Sequence, residues 1–111
     1  MSAMGFLLIA IACELIATTS LKLSEGFTRL VPSVVVVAGY ATAFYMMSQA
    51  LRLAMPVGTA YAIWSGLGTV GIAIIGIALF NEPLNLTRIV GIALIVAGVL
   101  VLNLLSPSTH A

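Results

Sequence analysis

Charge is almost absent from these 111 residues: four Lys and Arg, three acids that are all glutamates, and a formal net charge of +1. With no basic patch or stripe, nucleic-acid binding has nothing to stand on. A single cysteine, Cys13, excludes an internal disulfide and a cysteine-based metal cluster. The lone histidine, His110, reads as part of a solvated tail, so neither a metal site nor a cofactor is expected. Dyad alternation of apolar and polar residues is missing as well, which sets aside a membrane β-barrel.

What is present is apolar: 62% of the chain is hydrophobic and its mean hydropathy is +1.26. Those values describe an integral membrane protein. A hydrocarbon core needs about 20 apolar residues per helical span, so the chain holds four spans and no soluble domain. The fold class expected is an all-α membrane protein, one domain over 1–111, with spans near residues 4–21, 32–53, 57–80 and 86–105. The breaks are a polar turn from Lys22 to Arg29, a connector holding Met55-Pro56, and Asn81-Glu82-Pro83-Leu84-Asn85, with Ser106-Pro107-Ser108 as a tail. Such short loops make sequential helices antiparallel neighbours. Ala12-Cys13 loosely resembles a lipoprotein cleavage site, but no Lys or Arg precedes Phe6 and the apolar pattern continues past Glu14. Lys22, Arg29 and Arg88 fall on one side and Arg52, the α-amino group and His110 on the other, a bias slight enough to leave insertion in both orientations open.

One carboxylate breaks the apolar pattern. Glu14 lies inside Ala10-Ile-Ala-Cys-Glu-Leu-Ile-Ala-Thr18, and a carboxylate at mid-membrane costs about 2.5–3.5 kcal/mol on insertion scales, so a chain that keeps one is using it. Glu14 is about 12 Å in from Lys22, and Tyr40 is the same distance past Pro32 on the antiparallel neighbour, so the phenol and the carboxylate can meet. Ala10 and Thr18 share Glu14's face, and small Ala17 leaves room beside it. On the third span Tyr61, Trp64 and Gly68 share one face, with Trp64 about 10 Å in, deeper than an interfacial anchor. An acid among ring faces and small residues suits a bulky lipophilic cation.

Plainer roles stand beside these. Glu14 could act as hydrogen-bonding glue between helices, Tyr61 as an interfacial anchor, and Tyr40 and Trp64 as packing. Glu25 and Glu82 lie in polar turns and read as solvated or paired with a nearby Arg. Gly66 and Gly68 mark a hinge or a close helix approach. Gly91, Ile95, Gly98 and Leu102 form a seam on the fourth span, assigned to dimerisation, with packing inside one chain as the alternative.

With these residues in view, the chain resembles the small multidrug resistance family over essentially its whole length. The matching pieces are Ala12-Cys-Glu14-Leu-Ile-Ala-Thr-Thr19, Leu21-Lys22, Ser24-Glu-Gly-Phe-Thr-Arg-Leu30, Pro32-Ser33, Tyr40, Pro56-Val-Gly-Thr-Ala-Tyr61-Ala-Ile-Trp64-Ser-Gly-Leu-Gly68 and Gly91-Ile-Ala-Leu-Ile-Val-Ala-Gly98. The resemblance implies an antiparallel, dual-topology homodimer in a bacterial inner membrane. Glu14 of both copies would shape one site, lined by Tyr40, Tyr61 and Trp64, with the fourth helix as the dimer contact. It also implies competition between protons and substrate for the glutamates, and export of quaternary ammonium and aromatic dye cations. Departures from the family pattern are Val31 and Tyr45 at positions where Trp is common, a connector from Leu51 to Pro56 one residue longer, and Glu82-Pro83 in the third loop. They bear on substrate range more than on mechanism.

The reading is a proton-coupled antiporter that exports lipophilic cations by alternating access at Glu14, and not an enzyme. One alternative is a guanidinium exporter of the same fold; relatives of that branch usually carry a Trp soon after the glutamate, where Ile16 and Ala17 stand here. Another is a non-transporting half of a heterodimeric membrane pair.

Overall fold

The computed structural model describes residues 1–105, so His110 and the tail after Leu105 lie outside the described residues. Four helices account for nearly all of it: α1 Ala3–Leu23, α2 Leu30–Arg52, α3 Val57–Phe80 and α4 Leu86–Leu105. Each is long and apolar enough to cross a membrane, and no strand occurs among the described residues. In lipid a helix is the local solution for such sequence, because it satisfies every backbone polar group within the segment. The protein is a multi-pass membrane protein.

The helix ends follow from the polar residues between the runs. Ser2 caps α1, its hydroxyl accepting the Gly5 N–H at 3.0 Å. At the other end Ser24 is fully buried; its hydroxyl donates to the Leu21 carbonyl at 2.7 Å and accepts the Phe27 N–H at 3.1 Å. Glu25, Gly26 and Phe27 then take positive φ to reverse the chain. Helix α2 begins at Leu30, two residues before the expected start, because Pro32 is tolerated within a first turn whose N–H groups have no helical partner. Asn81 ends α3 in the left-handed conformation at φ 54°. Asn85 opens α4, its side-chain oxygen accepting the Arg88 N–H at 2.9 Å.

Small residues set the helix contacts. An added Cβ at Gly39 would lie 2.8 Å from the Ala17 Cβ, and one at Gly71 2.8 Å from Leu15 Cδ1, so α1 approaches α2 and α3 at these points. Gly66 accepts the Val99 side chain and fixes α4 against α3. The most extensive packing joins α1 to α2, while α4 packs on α3. The result is a slab of 43 × 35 × 18 Å rather than a closed bundle. Its core joins Leu7, Ala10, Ala43, Met47, Ile63 and Trp64, among others.

Candidate functional site

The site begins with Glu14 on α1. Its Oε1 accepts a hydrogen bond from the Thr18 hydroxyl at 3.0 Å, and Thr18 Oγ1 lies 2.5 Å from the Tyr40 phenol oxygen on α2. Since the Thr18 proton goes to the carboxylate, the phenol is the donor to Thr18. The expected meeting of Tyr40 and Glu14 therefore runs through Thr18. Four residues on from Glu14, Thr18 projects over the same face, and its hydroxyl stands between the two groups.

The second carboxylate oxygen, Oε2, is buried and has no hydrogen-bond partner among the described residues. Glycine at position 68 lets the α3 backbone come up to it: an added Cβ would lie 3.2 Å from Oε2. A buried polar atom left unpaired costs about 1–3 kcal/mol, more when charged. No basic side chain offsets this, because the one ion pair among the described residues is Arg88–Glu82, at 3.0 Å. Lys22 stands 4.8 Å from the centroid of the Phe80 ring and Arg52 donates to Gln49.

Oε2 belongs to a residue lining a cavity of about 320 Å³, whose walls come from three helices. Helix α1 gives Glu14, α2 gives Tyr40 and Phe44, and α3 gives Tyr61, Trp64, Ser65, Gly68, Thr69 and Ile72. Trp64 is held edge-on by two rings: Phe44 at 5.1 Å and 74°, and Tyr61 at 6.4 Å and 84°. Such contacts fix the indole without a polar anchor. The arrangement offers one unpartnered carboxylate oxygen, ring faces and no basic side chain in the lining. That suits a compact or aromatic cation of low hydration.

The expected residues do not all converge. Glu14, Tyr40, Tyr61, Trp64 and Gly68 line the cavity, and Thr18 bridges two of them. Ala10 does not line it: the residue is fully buried in the core. Four residues advance about 40° around a helix, enough to turn Ala10 to its neighbours while the longer Glu14 side chain reaches the cavity. Ala17 likewise packs on Gly39 rather than beside the carboxylate. Gly66 and Gly68 are both buried at close approaches, the first to Val99 and Ile95, the second to Glu14, within an unbroken α3. On α4, Gly91 and Gly98 meet nothing within 4 Å, whereas Ile95 leans on α3 at Gly66. Val31 and Tyr45 are both exposed and neither lines the cavity.

Sequence reasoning missed Phe44, Ser65, Thr69 and Ile72. Helical spacing carried the signal for all of them: Phe44 is four past Tyr40, Ser65 and Thr69 are four and eight past Tyr61, and Ile72 is four past Gly68.

Residues 2–95 match the family described as Small Multidrug Resistance protein. The chain is 55% identical over 104 residues to quaternary ammonium compound-resistance protein QacE of Escherichia coli, covering 94% of each chain. It is 56% identical over 101 residues to QacF of Klebsiella aerogenes, covering 91% of each. With multidrug transporter EmrE of E. coli K12 it shares 50% over 100 residues, 90% of each.

Proposed function

The chain belongs to the small multidrug resistance family of efflux transporters, and we propose that it exports lipophilic and quaternary ammonium cations from the bacterial cytoplasm across the inner membrane in exchange for protons. The observation that carries this reading is the unpartnered, buried Oε2 of Glu14 at a cavity walled by Tyr40, Phe44, Tyr61 and Trp64. An ionised carboxylate in such surroundings must be neutralised, and a proton or an organic cation can do it. Because both use the same oxygen, each displaces the other. The relatives named for resistance to quaternary ammonium compounds support the substrate class.

Two copies of opposite orientation complete the transporter. Support comes from the flat protomer, the open Gly91 and Gly98 positions of α4 and the near balance of loop charges. In the dimer the two Glu14 carboxylates share one substrate, and bending of α3 near Gly66 and Gly68 exposes the site to one side at a time.

The test is uptake of tetraphenylphosphonium into proteoliposomes with an acidic lumen. The wild type accumulates the cation, while Glu14→Gln, which keeps size but cannot exchange a proton, does not. Proton-driven accumulation by Glu14→Gln would overturn the reading.

A further inference from the structure

Ser65 and Thr69 lie one turn apart on the exposed face of α3, both lining the cavity beside Glu14. A hydroxyl inside a membrane helix normally donates to a carbonyl of the preceding turn. This chain does so at Thr19 to Leu15, Ser33 to Arg29, Thr42 to Ala38 and Ser48 to Tyr45, at 2.5–2.8 Å. Ser65 and Thr69 are absent from this network, so neither hydroxyl is tied to the helix backbone and each is free to turn an acceptor lone pair toward the cavity. Quaternary cations have no use for an acceptor there, since they carry no N–H; the aromatic walls and the Glu14 charge are enough for them.

Resting on the antiport reading above, we propose that Thr69, supported by Ser65, is a specificity-determining acceptor that widens the substrate range to cations bearing N–H donors. Protonated secondary and tertiary amines with an aromatic group are the class that fits. The ammonium N–H donates to the Thr69 hydroxyl while the positive charge faces Glu14 Oε2 and the ring stacks among Trp64, Tyr61 and Phe44. Thr69 positions the ligand and does not itself exchange the transported proton.

A matched pair of probes isolates this contact: benzyldimethylammonium carries one N–H, and benzyltrimethylammonium replaces it with a methyl group. Each is titrated against bound tetraphenylphosphonium with the full-length protein in detergent, at a pH where the amine is protonated, and the ratio of the two dissociation constants is read. Thr69→Val keeps the shape and removes the acceptor, and is expected to move that ratio about tenfold toward the quaternary probe, the effect of losing one hydrogen bond from a charged donor. Thr69→Ser restores the acceptor and the ratio. A Thr69→Val ratio within about twofold of wild type, or no restoration by Thr69→Ser, overturns the proposal. Tetraphenylphosphonium binding by each variant reports that it is folded. The underlying antiport reading fails separately, if Glu14→Gln retains proton-driven accumulation.

Discussion

The three-helix wall around Glu14 and the fourth helix are all built from spans apolar enough to cross a membrane and end up opposite in character. Around the cavity, α1, α2 and α3 meet through a hydrogen-bonded chain, a ring cluster and close glycine approaches. On α4 the only buried residue is Val99, seated on Gly66. Leu94, Leu100, Val101, Leu104 and Leu105 are all exposed. One region gathers chemistry within a single chain; the other presents surface that a single chain does not use. In lipid there is no hydrophobic penalty for such a surface, so exposure alone does not demand a partner. The open positions at Gly91 and Gly98 make the stronger case, because small residues at this spacing let a second helix come close.

That contrast breaks most decisively at α4. An added Cβ at Gly91 or Gly98 meets nothing within 4 Å in the protomer, so the fold of one chain is expected to survive leucine at both. If α4 is the seam between copies, Gly91→Leu combined with Gly98→Leu yields monomers in membrane cross-linking and brings export to background with helix content unchanged. Persistence of the cross-linked dimer would move the interface elsewhere and make α4 a lipid-facing helix.

The four spans were legible because bilayer thickness fixes their length, and Glu14 because a charge in an apolar run is conspicuous at any rotation of the helix. Facing was harder to read. A helix apolar on all sides has no polar stripe to orient it, so the inward turn of Ala10 and the placing of Ala17 against Gly39 depended on tertiary packing. Depth matching brought Tyr40 to the level of Glu14 but could not reveal that Thr18 stands between them, because that depends on side-chain rotamers. Helical spacing puts Ser65 and Thr69 on the face of Tyr61, but the back-bonds they lack and Thr19 and Thr42 make depend on side-chain rotamers that sequence does not carry.

Within the three-helix wall the expected effects are smaller. Tyr40→Phe keeps the ring at the cavity and removes the donor to Thr18, leaving Thr18 bonded to Glu14 alone. One hydrogen bond is worth about 1 kcal/mol, so the cation dissociation constant is expected to rise about fivefold. Thr18→Val removes both links and should have the larger effect. If Tyr40→Phe equals wild type in an equilibrium titration while Thr18→Val does not, the phenol is wall material rather than part of the relay.

The smallest effect is expected where the two regions are joined by charge. Arg88 pairs with Glu82 and also donates to the Pro83 carbonyl at 2.8 Å, tying the start of α4 to the end of α3. The two side chains are 28% and 37% exposed, so screening holds the pair to about 0.5 kcal/mol. Arg88→Ala also leaves the Glu82 carboxylate unpaired beside Gly76, near the C-terminal end of α3, where the helix dipole disfavours negative charge. Arg88→Ala is therefore expected to lower thermal stability in detergent slightly, and Glu82→Gln added to it should recover part of the loss. A loss above about 2 kcal/mol, beyond the range of exposed pairs, would mean that this loop, and not the Val99 contact with Gly66, holds α4 in place. The division between a self-sufficient site and a loosely attached fourth helix would then be a property of one ion pair.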